Sequence, residues 1–414
     1  MGKNSTIRVL FKRKEFLSVF IAVVNAFSWY FPLYLFFESV LGELQLESAF
    51  LLATFGIQCM ATVSFAILGT ALVKKFPNRE TFLSVWMFIG IVTSASMIII
   101  ETFSMAFIPL VSFLLGGSLG LGFPICLAYF GDYTIEENRG LIAGITLFAA
   151  FMCMFFIVFL LSFSTLVVGA LILAAWRGIG LLLFLLTKPK KTYKKETNIE
   201  VSYKTVLLDR SLLLYLVPWI MFCVINFLER PIVNLFFGEE FASFTPIAEF
   251  GIAGFVALIG GWFADSVGRK RVIIFGFVNL GVGYALLGLF QTIEVCWYLY
   301  LILDGIAWGI FSLMFYLVIW SELAGNRFKE KYYLLGVLPF LIASYIQMLF
   351  TPFAGDVDIS AAFSLASFFL FIAVLPLLYA PETMPEKKME LKRLRSFAEE
   401  AQKAKEKYDR KMEK

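Results

Sequence analysis

Twelve apolar runs separated by short polar breaks organise the chain. They extend from Phe16 to Phe37, Ser48 to Val73, Thr81 to Ile100, Ser104 to Phe130, Leu141 to Leu161, Leu166 to Leu186, Ser211 to Phe237, Pro246 to Ala264, Val272 to Phe290, Val295 to Trp320, Tyr332 to Phe350 and Ile359 to Tyr379. About 20 such residues in a helix span the ~30 Å of hydrocarbon in a bilayer, so each run predicts a transmembrane helix. Ser162 to Thr165 is the shortest break, but the runs it joins total about 46 residues at ~1.5 Å each, which favours a hairpin over one crossing. The longest internal polar stretch, Thr187 to Arg210, splits the runs six and six. The pattern therefore predicts an all-α membrane protein of twelve helices in two pseudo-symmetric six-helix bundles. Its limits are 1–187 for the first bundle, 188–210 for a central loop, 211–380 for the second bundle and 381–414 for a charged tail.

Composition narrows the chemistry. Of the 414 residues, 60% are hydrophobic and 16% charged, which excludes soluble, disordered and disulfide-scaffold classes. The absence of histidine removes the commonest general base and metal ligand, so proton chemistry falls to carboxylates. The five cysteines stand singly in apolar runs and read as small apolar residues, not as disulfides or metal ligands. No cofactor and no metal are expected.

The charges set an orientation. With the N-terminus inside, 33 of the 35 Lys and Arg residues fall on the inner side, leaving Arg177 within a span and Arg230 near the outer face. Both termini are therefore expected in the cytoplasm of a multi-pass protein of the cell membrane. The tail, Pro381 to Lys414, carries Leu391, Leu394 and Phe397 at helical spacing and reads as a solvated, partly helical segment; an amphipathic helix on anionic headgroups is the alternative.

The two halves share markers. Gly69 before Lys74, Lys75 and Arg79 corresponds to Gly261 before Arg269, Lys270 and Arg271, and Asp132 with Arg139 corresponds to Glu322 with Lys329. Such duplication in a membrane carrier puts a site between the halves. The second-half copy reads Gly261-Trp-Phe-Ala-Asp265-Ser-Val-Gly268-Arg269-Lys270. It resembles the inner-loop signature G-x-x-x-D-x-x-G-R-[KR] of the major facilitator superfamily, at all five specified positions and in the expected loop. The first-half copy is degenerate, with Val73, Phe76 and Pro77 in place of the Asp, the second Gly and the Arg. Asp132 with Arg139-Gly140, and Pro381-Glu382-Thr383 after the last span, resemble the sugar-porter-like, metabolite–proton symporter branch. The paired glutamines that sugar porters carry in span seven are absent from Leu212 to Phe237.

That resemblance implies an inner gate. Asp265 would face the positive N-terminal end of span five at Gly140 and Leu141. Gly268 would permit the tight turn, and Arg269 would bridge to Glu322 through two parallel hydrogen bonds. Lys270 and Arg271 read chiefly as topology determinants.

Polar groups at membrane depth are the candidates for solute binding and proton coupling. Asp304 lies ten residues past Glu294, about 15 Å deep. Glu229 and Arg230 precede Pro231 at the outer mouth, where the proline is expected to break the helix. Asn226 and Asn25 add uncharged hydrogen-bonding groups. Arg177, about 16 Å from Lys188 along its span, needs a buried partner and reads as a structural charge of the first half. The glycines Gly116, Gly117, Gly120 and Gly122 of span four read as a packing surface.

The function expected is that of a secondary active transporter, not an enzyme: a small organic solute (metabolite, sugar or organic acid) moved by alternating access and coupled to protons. Its partners would be that solute, protons and the lipid bilayer, with no nucleic acid, and it would act as a monomer. A proton-antiport exporter of drug type is the main alternative. A membrane-embedded transferase and a non-transporting sensor rank below it.

Overall fold

A computed structural model of the protein describes residues 14–384, apart from 45, 103–104 and 190–198, together with Leu394, Ala398 and Gln402. Twelve helices among these are long and apolar enough to cross a membrane. We number them α1 (Phe16–Glu43), α2 (Ser48–Lys75), α3 (Arg79–Glu101), α4 (Met105–Tyr133), α5 (Glu136–Leu161), α6 (Leu166–Thr187), α7 (Arg210–Phe236), α8 (Ile247–Val267), α9 (Arg269–Phe290), α10 (Glu294–Ala324), α11 (Lys329–Asp356) and α12 (Ile359–Tyr379). The hairpin between α5 and α6 forms as expected, its second arm capped by the Thr165 hydroxyl. Most of the tail, with the amphipathic-helix alternative read for it, and Lys190 to Lys195 of the central loop lie outside the described residues.

Two departures from the apolar pattern matter for the site. Pro231 does not break α7, which continues unbroken to Phe236 with Pro218 and Pro231 both inside it. Proline removes a single N–H, and helices packed against one another at membrane depth can satisfy the freed carbonyl. Conversely α10 widens into a π-helical stretch, Ser312–Val318, in which all seven residues are buried. Such widenings recur at functional sites because they re-aim side chains within a continuous helix.

Within the first half, α2 and α4 approach very closely. A Cβ at Gly120 would stand 2.0 Å from the Thr62 carbonyl oxygen, and one at Gly116 would stand 2.3 Å from that of Gln58. Between halves, the seam is made by α5 against α8 and by α2 and α4 against α11. Glycine again sets the spacing: a Cβ at Gly144 would lie 2.5 Å from the Ala257 carbonyl oxygen. Small residues let backbones meet where no hydrophobic gain separates helix from lipid.

Candidate functional site

The seam is closed at the basic end by two charged clusters. In the first, Asp265 at the end of α8 accepts hydrogen bonds from the Gly140 N–H (3.0 Å) and the Leu141 N–H (2.9 Å) of α5. These are unsatisfied donors of a helix N-terminus, where a carboxylate is favoured by the helix dipole. Gly268 follows with φ of +113°, a conformation that glycine adopts freely, and turns the chain directly into α9. Arg269, fully buried, donates through Nη1 to Asp265 (2.7 Å) and through Nη2 to the Glu136 carbonyl (2.8 Å). It reaches Glu322 through Nε (3.4 Å) and Nη2 (3.2 Å), both on Oε1. The fork therefore closes on one oxygen, correcting the expectation of two parallel bonds. The reason is that Nη1 is already committed to Asp265, while Thr383 donates to the other Glu322 oxygen. Arg139 from the first half lies 3.3 Å from the same Oε1.

The second cluster is the pseudo-symmetric mate of the first. Asp132 at the end of α4 is paired with Arg79 at the start of α3 and, 2.9 Å away, with Lys329 of α11 in the other half. Arg79 also reaches across the seam to Glu330. Each carboxylate thus holds one cation from its own half and one from the opposite half. No aspartate stands at Val73, so this mate has no counterpart of the Asp265 cap. Instead the described end of the central loop straps the two halves together. Tyr203 bonds with Thr70 at 2.5 Å, Lys74 pairs with Glu200, and Lys331 of α11 donates to the Val201 carbonyl (2.6 Å) while lying over the Tyr203 ring.

Glu382 supplies a further lock. Its carboxylate accepts from the backbone N–H groups of Arg269 (2.8 Å) and Lys270 (3.2 Å), capping α9, while Lys270 Nζ donates to the Ala380 carbonyl (3.1 Å). Lys270 therefore has a contact besides its contribution to topology.

Above these clusters lies an aromatic layer that crosses the seam. Phe27 of α1 meets Tyr316 of α10 edge-on at 5.4 Å, and Phe31 meets Phe340 of α11 at 5.6 Å. A cavity of about 100 Å³ sits on this layer. Asp304, Asn226, Glu229 and Arg230 all line it, together with Glu249 of α8 and exposed Asn234 at the mouth. Asn226 Nδ2 donates to Asp304 at 3.4 Å, and Asp304 and Glu249 lie close enough to interact electrostatically. Glu229 accepts from the hydroxyls of Tyr284 (2.8 Å) and Tyr300. Tyr316 is buried in the floor with no hydrogen-bond partner for its hydroxyl among the described residues.

Twelve helices in two mated halves, with a cavity on the seam between them, match solved structures of one fold. The chain has the fold of the major facilitator superfamily. It aligns with the proton:xylose symporter XylE bound to 6-bromo-6-deoxy-D-glucose at 14% identity and a TM-score of 0.66, over 89% of this chain and 96% of that one. FucP in the outward conformation aligns at 12% identity and 0.68, over 89% and 100%. The human organic anion transporter MFSD10 (TETRAN) aligns at 15% identity and 0.61, over 88% and 99%. No protein-family model matches the chain, and no curated protein matches it in sequence.

Within the major facilitator fold the residues singled out from the sequence separate into three places. Asp304, Asn226, Glu229 and Arg230 meet in the cavity. Gly261, Asp265, Gly268, Arg269, Lys270, Asp132, Arg139, Gly140 and Glu322 meet at the basic end. Asn25 goes elsewhere: its Oδ1 accepts from Arg177 Nη1 (2.7 Å) and its Nδ2 donates to the Trp176 carbonyl (3.0 Å). It does not line the cavity, a correction whose cause is the buried arginine beside it. Glu249 was missed, although an acidic residue in an apolar run is the signal that picked out Asp304.

Proposed function

We propose that the protein is a secondary active transporter that moves a small organic solute across the cell membrane by alternating access, coupled to protons, with both termini in the cytoplasm. The observation that carries this reading is the cavity on the seam between the halves, with its mouth away from the basic end and that end held by releasable polar contacts. Rocking one half against the other would break Asp265–Gly140, Arg139–Glu322 and Asp132–Lys329 together and open the other side. One chain supplies both halves, so a monomer suffices.

Proton coupling rests on Asp304 and Glu249. Both are acids that line the cavity at membrane depth, where ionisable groups mark proton relays. Among the relatives in fold, XylE is a proton:xylose symporter and another FucP structure is described as a fucose:proton symporter, which supports the same coupling here. The test is counterflow of labelled solutes in proteoliposomes, followed by uphill movement with and without a pH gradient. Asp304→Asn is expected to lose uphill movement driven by the pH gradient. Full uphill transport by that variant, insensitive to pH, would sink the coupling role.

A further inference from the structure

The two walls of the cavity differ in chemistry. From the first half come Phe27, Tyr30, Phe31, Tyr34, Phe151 and Met154, none of which carries charge. From the second half come Glu229, Arg230, Glu249 and Asp304, three carboxyl groups and one guanidinium. The charged groups of the cavity thus all come from the second half, while both halves supply aromatic faces, Trp308 and Phe340 of the second half among them.

This asymmetry discriminates among solute classes. An anion would meet one guanidinium, Arg230, and three carboxyl groups in the same cavity. A neutral polyol needs a dense set of free donors and acceptors, and the buried amide of Asn226 is already donating to Asp304. A cation gains from both walls. Carboxylates removed from bulk water attract it more strongly than they would at the surface, and aromatic faces attract it through their quadrupoles. An apolar body attached to it would lie against Phe27, Phe31, Trp308 and Phe340.

We infer that the cavity takes an organic cation with an apolar body, its charged nitrogen held by Asp304 and Glu249 and its body against the aromatic side chains of both halves. The assignment rests on reading this cavity as the transport site. Glu229 is the less available acid, because the hydroxyls of Tyr284 and Tyr300 already donate to it. Asp304 accepts a side-chain hydrogen bond from Asn226, and Glu249 accepts from no tyrosine hydroxyl among the described residues, so both keep carboxyl oxygens for a bound cation. The unpartnered Tyr316 hydroxyl in the floor is an acceptor available to an ammonium N–H.

Tetraphenylphosphonium and tetraphenylborate have the same shape and opposite charge, and their binding to the purified full chain in detergent tests the inference by thermal stabilisation and equilibrium titration. Phosphonium is expected to bind at least tenfold more tightly, and Asp304→Asn and Glu249→Gln are each expected to weaken it at least tenfold. Should Asp304→Asn fail to fold, Glu249→Gln, at a half-buried position, carries the test alone. Equal binding of both ions, a preference for the borate, or phosphonium affinity unchanged in the folded variants would overturn the inference. Counterflow separates this from the carrier reading. Movement of a polyol or a carboxylate without movement of benzyltrimethylammonium refutes the cation and leaves the carrier standing. Movement of no solute, by a protein whose basic end never opens to thiol reagents, refutes both.

Discussion

Arg139 and Glu322 lie 3.3 Å apart across the seam. Their counterparts 190 residues away, Lys329 and Asp132, lie 2.9 Å apart across the same seam. Arg79 and Arg269 are separated by the same 190 residues and serve the two carboxylates from within their own halves. The closed basic end is therefore one charged arrangement used twice, with each half lending a cation to the other.

Glu322 is the centre of one copy, with a side chain 1% exposed and cations from both halves upon it. Removing one partner of a buried ion pair costs about 3–5 kcal/mol, because the other charge is left without compensation. Glu322→Gln is accordingly expected to open the basic end, raising the alkylation rate of a cysteine placed at buried Ser321 in a cysteine-free background by at least tenfold. In a double-mutant cycle with Arg139→Gln the effects should fall short of additivity by about 1–3 kcal/mol. Strict additivity would mean that the two groups are neighbours without being coupled.

Backbone proximity at the seam gives a test that changes no charge. A Cβ at Gly140 would lie 2.6 Å from the Gly261 carbonyl oxygen and 2.7 Å from Asp265 Oδ1. Gly140→Ala must then push α8 from α5 and lengthen both Asp265 hydrogen bonds. Bonds to a charged acceptor contribute about 1.5–3 kcal/mol each, so losing one shifts a two-state opening by roughly tenfold or more. The same Ser321→Cys alkylation assay reads the shift, and an unchanged rate would show that the seam yields without opening.

Tyr203 joins the end of α2 to a strap that Lys331 of α11 also holds. Tyr203→Ala removes the Thr70 bond and the cation–π contact, the latter about 0.5–1 kcal/mol at a partly exposed site. The expected outcome is a few-fold faster exchange in counterflow, with solute affinity unchanged because the cavity is untouched. A changed affinity at constant rate would argue instead that the strap acts on the cavity.

What the chain discloses to a reader and what it withholds have a physical division. Span number and the six-plus-six division are local: about 20 apolar residues in succession suffice to mark a span. The Asp265 contact was legible through its motif, because a turn of fixed length repeats its geometry. Pairing across the seam was not, since whether Asp132 meets Arg139 of its own half or Lys329 of the other depends on how α4 and α11 cross. Pro231 misled because proline's cost in a helix was judged without the neighbours that relieve it. The same blindness moved Asn25 into the cavity: nothing along the chain indicates that Gly90 leaves room for an arginine 87 residues further on.

That arginine supports the sharpest stability prediction. Arg177 is wholly buried, stacked between Trp29 (4.4 Å) and Trp86 (4.2 Å), with Asn25 Oδ1 as its hydrogen-bonding partner and no carboxylate within ion-pair distance among the described residues. Two cation–π contacts of about 2 kcal/mol each in a desolvated site, with one charged hydrogen bond of about 1.5–3 kcal/mol, offset a desolvation cost of several kcal/mol. The balance is close, and it inverts the usual ranking of substitutions. Arg177→Met deletes the charge and leaves only the neutral Asn25 Oδ1 without a donor, at about 1–3 kcal/mol, whereas Asn25→Leu keeps the charge and strips its one hydrogen-bond acceptor, at about 3–5 kcal/mol. Asn25→Leu is therefore expected to destabilise the purified protein more than Arg177→Met, by about 2 kcal/mol or more in unfolding. Arg177→Lys should also fall below Arg177→Met, because an ammonium cannot stack as a planar guanidinium does. Thermal unfolding of the three variants side by side checks the order, and a result in which Arg177→Met is the least stable would mean that the tryptophan sandwich outweighs the cost of burying the charge.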